Sequence, residues 1–416
     1  MAYNKNQQGP YIIMPARPNT AHTYLSAPAK QRLELLEAQL RNDYSRFIGF
    51  PATLDFDYAE LLPFLSQVLN NVGDPYVSTW HGVHTKEFEQ EVVDFFAELF
   101  RAPKGKYWGY VTNGSSECNL YALYVARQKY PNAPVYYSKT AHYGIPKNIL
   151  LLGMNGVPLD TLPSGEMDYE HLRRELKQRS DTSAIVVATI GTTMTEAKDN
   201  VATIKQILLE SGVTGSYIHA DAALAGTYTA LLEPRWPFDF EDGADSVNVS
   251  GHKFLGSPVP CGVIIVKKDH QKNIKQNTNY TGSPDSTITG SRNGHTPLIM
   301  WYAIQRWGKE GLRQRALGGF ENAEYACRRL QAVGWPAWRN PNALTVMLAS
   351  PSDHLIHKWQ LANTGGWSHI ICMPGITKDK IDRFIDDLCD THELPATTEI
   401  LEVPLVRQRF VETVAQ

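Results

Sequence analysis

The chain of 416 residues is poor in the features that mark several whole classes of protein. It has five cysteines, Cys118, Cys261, Cys327, Cys372 and Cys389, an odd number with no C-x-x-C pair. That excludes a disulfide framework and a thiolate metal cluster, and reduced thiols of this kind point to the cytoplasm. No stretch approaches the ~20 apolar residues that span a bilayer, and the lead MAYNKNQQGPYIIMPARP lacks the apolar core of a signal peptide. A soluble chain with no membrane partner is expected. Charge of one sign is also missing: 40 Lys+Arg against 43 Asp+Glu leave a net charge of −3 without long runs, so broad electrostatic attraction to nucleic acid is excluded and a small-molecule partner is expected. The chain has neither H-E-x-x-H nor a G-x-S-x-G elbow. His219-x-Asp221 offers two ligands where a zinc site needs at least three, so no metal is expected.

What the sequence does contain is a long globular chain, 43% hydrophobic and 20% charged, able to bury its core without staples. Three regions differ in pattern. In residues 1–75, Lys30 to Phe47 carries Leu33, Leu36, Leu40 and Tyr44 along one helical stripe that must pack on something, and a second apolar segment, Leu61 to Val72, stops at Gly73-Asp74-Pro75. Residues 76–310 alternate helical patterns (Lys86 to Phe100, Glu117 to Tyr130) with short apolar strands (Val135 to Tyr137, Ala184 to Ile190, Ser216 to His219, Cys261 to Val266). Such alternation predicts an α/β domain with a mostly parallel sheet, and the run Ala184 to Ile190 reads as a central strand buried on both faces. Residues 311–416 read as a long helix, two short strands (Leu344 to Leu348, His369 to Met373) and an amphipathic helix from Thr377, which together predict a smaller α+β domain.

The chemistry concentrates in a few segments. Tyr217-Ile218-His219-Ala220-Asp221 is a short strand delivering a carboxylate at its end, and Ser250-Gly251-His252-Lys253 follows 32 positions after Asp221. Alone, an Asp at a strand end is a cap or surface carboxylate and a His-Lys pair is solvated. Together they supply what a pyridoxal phosphate enzyme needs: a lysine to hold the aldehyde as a Schiff base, and a carboxylate to keep the ring nitrogen protonated. Strand ends of open α/β sheets suit both. Thr112-Asn113-Gly114-Ser115-Ser116-Glu117 is a Gly/Ser turn opening a helix; it fits a phosphate at a positive helix terminus and equally an ordinary helix cap. His142, just after the strand Val135 to Tyr137, is either a ring that stacks on a pyridine or a hydrogen-bonded structural histidine. Trp80, His81 and His84 form a polar-aromatic cluster that could read a substrate or simply pack.

This combination resembles the pyridoxal-phosphate-dependent group II amino-acid decarboxylases, within them the histidine decarboxylase and plant serine decarboxylase branch. The resemblance runs in order through Asn71 to Pro75 (NVGDP), TNGSSECN from Thr112, YSKTAHY from Tyr137, Gly191-Thr192-Thr193-Met194, HADAALAG from His219, SGHKFLGSPVPCG from Ser250 and TGSRNGHTP from Thr289. It implies an aspartate-aminotransferase-like fold (fold type I), with a large cofactor domain, a small carboxy-terminal domain, and an amino-terminal segment that packs on a partner subunit in a homodimer. It also implies pyridoxal 5'-phosphate as cofactor, with Lys253 as the Schiff-base lysine, Asp221 at the ring nitrogen, His142 stacked on the ring and Ala223 against its other face. Thr193 matches a cofactor-binding position close to the cofactor and the substrate carboxylate. Gly114, Ser115, Ser116, Ser250 and His252 match the phosphate side, and Ser291, with Arg292 and Asn293, a segment reaching the neighbouring site. Tyr280, in the polar segment Asn279 to Pro284, is the expected proton donor to Cα, with Lys253 as the alternative. In relatives the turn reads Gly-Gly-Thr-Glu-Gly-Asn; here Ser116 keeps the hydroxyl and Cys118 replaces a glycine. The activity implied is decarboxylation of an L-amino acid, histidine first, with serine or another small or acidic amino acid, an aminotransferase or an oxidative deaminase as alternatives; a catalytically silent relative stands against them all.

Overall fold

The structure is a computed structural model and describes residues 25–179, 182–272, 274 and 282–390. The chain divides into two units, residues 1–45 and 46–416. In the first, helix α1 (Ala27–Tyr44) begins at an N-cap Ser26 whose hydroxyl accepts from the Ala29 amide, with Pro28 in the opening turn. Its apolar stripe stays exposed: Leu33, Leu36, Leu40 and Tyr44 are 41–56% accessible.

The larger unit is organised around a seven-stranded sheet. Its strands are β1 (Tyr107–Thr112), β2 (Val135–Ser138), β3 (Gly156–Leu159), β4 (Ala184–Thr189), β5 (Ser216–Asp221), β6 (Ser246–Ser250) and β7 (Gly262–Lys267), in the order β1-β7-β6-β5-β4-β2-β3. Strands β6, β5, β4, β2 and β3 run parallel, while β7 is antiparallel to both β6 and β1. The mostly parallel character expected from the alternating pattern is therefore present. Successive side chains of a strand face opposite sides: Val186 and Ala188 of β4 join one buried cluster with Ala220, Val247 and Val249, whereas Ile185 and Val187 join the other with Tyr217 and Ile264. Burial on both faces explains the unbroken apolar run of β4.

Helix α2 (Lys86–Leu99) packs with Val92, Val93, Phe96 and Ala97 inward, and helix α3 (Ser115–Lys129) follows directly from β1. A second sheet, antiparallel and in the order β10-β11-β9-β8, comprises β8 (Ala337–Trp338), β9 (Thr345–Ala349), β10 (Ala362–Thr364) and β11 (Trp367–Ile371). The helix Lys378–Asp390 covers it with Ile381, Phe384, Ile385 and Leu388.

Three elements differ from expectation. The long helix starts at His295, not near 315, and runs to Ala332 with a break at Gly308 (φ 56°, ψ −175°), so it serves the large-sheet core with Leu312 and Met300 and the small-sheet core with Ala323 and Leu330. The apolar stretch from Leu61 forms a 3₁₀ turn over Ala59–Ser66, because Pro63 within it has no N–H to continue an α-helix. Residues 46–75 pack within their own chain: the Thr53 hydroxyl donates to the Phe254 carbonyl, Tyr58 to Gly256, and the Leu54 amide to Pro374.

Candidate active site

The parallel strands end along one edge of the large sheet, and the sequence places polar groups there: Thr189 closes β4, Asp221 closes β5, Ser250 closes β6, and α3 starts at Ser115, shortly after β1 ends at Thr112. Carboxyl ends of parallel strands leave a crevice in open α/β sheets. Here it is a cavity of about 300 Å³. Lys253, Asp221, His142, Ala223, Thr193, Ser115, Ser116, Ser250 and His252 all line it. Residues separated by up to 138 positions in the chain thus converge on one space.

At one end lies the start of α3. Gly114 has φ 145°, a conformation that only glycine adopts without strain, and its carbonyl receives the Glu117 and Cys118 amides. Glu117 accepts from the Asn113 amide and side chain, so the capping expected of this turn is made by Glu117, while Ser115 and Ser116 face the cavity. As the first two residues of the helix, their amides have no intrahelical acceptor. The Ser115 and Ser250 hydroxyls are 2.7 Å apart. His252 is oriented by the Cys261 carbonyl, 3.0 Å from its Nδ1. Cys118 points away, buried, with its Sγ 3.0 Å from the Thr112 hydroxyl. Gly262 makes the room: a Cβ there would stand 3.0 Å from Cys118 Sγ and 2.9 Å from the Val249 carbonyl.

The cavity is also lined by Lys253, whose amine no described residue hydrogen-bonds. Burial lowers its pKa, partly opposed by the Asp221 charge. Burial also lowers the pKa of His142, whose Nδ1 accepts from the Gly144 amide at 3.1 Å; the ring is a neutral imidazole with its proton on Nε2. A Cβ at Gly144 would meet His142 Nδ1 at 2.9 Å, so a larger residue there displaces the ring. Asp221 is 3% exposed, and its Oδ2 accepts from Asn119 Nδ2 at 2.8 Å while the Ala223 amide donates to Oδ1 at 3.3 Å.

The opposite end is built from sequence-remote pieces: Gly49, Phe50 and Pro51, Leu224, and Ala362, His369 and Ile371 of the small sheet. His369 is buried, with Nδ1 2.9 Å from the Met194 carbonyl and Nε2 3.0 Å from the Gly49 carbonyl. Burial lowers its pKa, and a neutral ring has one N–H for two carbonyls. Both nitrogens face the backbone, so His369 offers the cavity its ring rather than a hydrogen-bonding atom.

Several candidates lie elsewhere. Ser291 is exposed and its hydroxyl accepts from Asn70 Nδ2 at 3.2 Å, and Arg292 is buried in an ion pair with Glu89; neither lines the cavity of this chain. Trp80 is 79% exposed, and like His81 and His84 it is not part of the lining. Tyr280 lies outside the described residues. Sequence reasoning missed the far wall, and it missed the role of Asn119, although a signal existed: four residues after Ser115, it shares that residue's helix face.

The pyridoxal-dependent decarboxylase conserved domain matches residues 64–334. Curated relatives include histidine decarboxylase of Mesorhizobium japonicum, 44% identical over 86% of this chain and 97% of its own length. Histidine decarboxylase of Pseudomonas entomophila is 40% identical over 89% and 92%. Among solved structures, L-methionine decarboxylase of Streptomyces sp.590 superposes with a TM-score of 0.80 at 26% identity, covering 88% of this chain and 96% of that one. Glutamate decarboxylase of Lactobacillus brevis, at 19% identity and a TM-score of 0.73 over 92% and 96%, shares the fold.

Proposed function

The chain belongs to the pyridoxal-dependent decarboxylase family, and from that premise we propose that it converts L-histidine to histamine and CO₂. The observation that carries the reading is the meeting, in one cavity, of an amine with no hydrogen-bond partner among the described residues (Lys253), a carboxylate (Asp221), a neutral imidazole (His142) and a helix start rich in hydroxyls. Histidine is taken from the relatives at 40–44% identity over most of this chain.

The donor set fits pyridoxal phosphate. The free amides of Ser115 and Ser116, with the hydroxyls of Ser115, Ser116 and Ser250 and with His252, would hold the phosphate at the positive end of α3. Asp221 would hold the ring nitrogen, with His142 and Ala223 on the two ring faces. When bound, the cofactor supplies an aldehyde carbon for the substrate amine and a pyridinium that takes up the electron pair left on Cα as CO₂ departs.

The protein's own residues do the rest. Lys253, its proton affinity lowered by burial, would hold the cofactor's aldehyde and can carry a proton to and from the substrate amine. Asp221 would accept the hydrogen bond of the protonated ring nitrogen. His142, being neutral, adds no positive charge beside the ring. Thr193 orients the substrate carboxylate, and the wall of Phe50, Pro51, Ala362, His369 and Ile371 receives the side chain and excludes water. Cα is protonated by Tyr280 or by Lys253; turnover and product unchanged in Tyr280→Phe would remove the tyrosine.

Three broader features complete the reading. Residues 76–310 act as the cofactor part and 311–416 as the small part, in keeping with the two sheets and their cores. The amino-terminal segment docks on a second copy in a homodimer, in keeping with the exposed stripe of Leu33, Leu36, Leu40 and Tyr44 on α1; Ser291 would then reach the neighbouring site. The cytoplasm suits five thiols that form no disulfide.

Incubating the holoenzyme with a panel of amino acids tests the function. Histamine and CO₂ from L-histidine are expected; a keto acid, an aldehyde with ammonia, or preference for serine or another amino acid would overturn it.

A further inference from the structure

Around Asp221 polar side chains are stacked in a region otherwise apolar: Ser115, Asn119, Asp221 and Ser250 line the cavity, and His219, Ser246 and Asn248 lie outside its lining. Strand β6 carries Ser246, Asn248 and Ser250 on one face, because alternate residues of a strand share a side; Val247 and Val249, on the other face, enter the large-sheet core. His219 and Asp221 of β5 share the corresponding face. Ser115 and Asn119 of α3 meet these residues from above. Each of the seven is 9% exposed or less.

The hydrogen bonds among them have one consistent direction. The Ala222 amide donates to Asn248 Oδ1 at 2.9 Å, which fixes that amide group. Asn248 Nδ2 therefore donates to Asn119 Oδ1 at 2.8 Å. Asn119 Oδ1 is thus an acceptor and Nδ2 a donor, and Nδ2 meets Asp221 Oδ2 at 2.8 Å. A flipped Asn119 would set oxygen against carboxylate and donor against donor. His219 Nε2, 2.8 Å from the same Asn119 Oδ1, must carry a proton. Its Nδ1 then has only a lone pair and accepts from the Ser246 hydroxyl at 2.8 Å. Burial pushes the His219 pKa down to about 4, so the ring is neutral and no cation stands behind the carboxylate.

We propose that Asn119, held in one orientation by His219 and Asn248, is a positioning residue that fixes the Asp221 carboxylate and keeps it charged for the cofactor ring nitrogen. A cation in its place would neutralise Asp221 and weaken its hold on a protonated ring. An apolar residue would leave one carboxylate oxygen buried without a donor, at a cost that raises its affinity for a proton. Neutral donors do neither. The titratable groups around Asp221 are His219, His142, Lys253 and the buried thiol of Cys118; Asn119 has no charge of its own to titrate.

The inference rests on the assignment of Asp221 to the ring nitrogen. The test measures the affinity of the purified protein for pyridoxal phosphate between pH 5 and 8, together with the kcat and KM of the holoenzyme. In Asn119→Ala, cofactor Kd is expected to rise about 10- to 100-fold. The acidic limb of binding should move up by about one pH unit, and the loss should fall on kcat with KM nearly unchanged. His219→Leu is expected to follow it, whereas His219→Gln, whose amide can donate to Asn119 and accept from Ser246, should stay within about 3-fold of the unaltered protein. Ser246→Ala, the mildest change, should move the acidic limb in the same direction and decides the matter if larger changes prevent folding. An unchanged Kd and pH profile in folded Asn119→Ala or in Ser246→Ala, or equal losses in His219→Leu and His219→Gln, would overturn the proposal. Asp221→Ala separates the two levels: unchanged cofactor affinity there sinks the ring-nitrogen assignment itself, whereas a loss there without one at Asn119 sinks only the positioning role.

Discussion

The two ends of the active-site cavity are built differently. The end assigned to the cofactor is made by the large sheet and α3, and it is saturated with short hydrogen bonds: Ser115 to Ser250 at 2.7 Å, Asn119 to Asp221 and to His219 at 2.8 Å. The end assigned to the substrate side chain is made by Phe50, Pro51, Ala362 and Ile371, with His369 turning its nitrogens to backbone carbonyls. The first offers directional polar groups to a ligand with fixed chemistry. The second offers shape, and it is assembled from parts of the chain that meet only through the small sheet: the Ile371 amide donates to the Ile48 carbonyl at 2.9 Å, which sets Gly49 to Pro51 against β11. One fold can therefore keep its reaction while changing what it accepts, because the two tasks sit on separate elements.

The sharpest way to break this division is at Lys253. Lys253→Ala should lower turnover by at least about 10³-fold and abolish the absorbance of the lysine-bound cofactor; retained turnover would dissolve the cofactor end as drawn. The next effect is one of stability. His219 has its pKa held near 4 by burial, below its ordinary 6.5, so the unfolded chain takes up a proton there before the folded one does. Its contribution is complete above pH 6.5 and is lost as the pH falls toward 4, at most about 3 kcal/mol. Asp199, raised to about 7 by burial, acts in the opposite sense, losing stability as the pH rises from about 4 to 7. Denaturation of the unaltered protein and of His219→Gln at several pH values isolates the histidine; parallel curves would show that the ring is not buried neutral.

A smaller effect is expected at the substrate end. His369→Leu removes the contacts to Met194 and Gly49, and should raise KM for the amino acid about 10-fold with cofactor Kd unchanged. Equal losses in both would mean the ends are not separable. Smallest is Gly144→Ala, whose Cβ would stand 2.9 Å from His142 Nδ1; displacing that ring should cost a few-fold in kcat, about 1 kcal/mol, and no change would remove His142 from contact with the cofactor.

Much of the cofactor end was legible because its residues come in short runs whose spacing has local meaning. Asp221 is at the end of an apolar strand, Ser115 and Ser116 open a helix, and Lys253 follows the last residue of β6 by three positions. Strand β6 itself escaped the reading: Ser246-Val247-Asn248-Val249-Ser250 alternates polar and apolar, with its polar face turned inward against His219 and Asn119 instead of outward to water. Hydrophobic patterning detects a buried face only when that face is apolar. The wall opposite was illegible for another reason. Nothing local to Gly49 or His369 says that His369 Nε2 will lie 3.0 Å from the Gly49 carbonyl, since that depends on how β11, whose His369 is 320 residues from Gly49, pairs and curves. Likewise Cys118, where relatives carry a glycine, finds its space beside Gly262 on a neighbouring strand.

By itself, then, the sequence determined the class of fold, the lysine, carboxylate and helix start that a pyridoxal cofactor requires, and the absence of disulfide and membrane-spanning patterns. It could do so because strand periodicity, helix capping and strand-end placement are short-range rules read within a few residues. Only the tertiary structure decided which groups share a cavity, that the Lys253 amine has no hydrogen-bond partner among the described residues, that His142 and His219 are neutral, and that Asn119 stands between His219 and Asp221. Those are consequences of burial and of contacts between distant segments, and desolvation and hydrogen-bond direction exist only once the chain has closed around them.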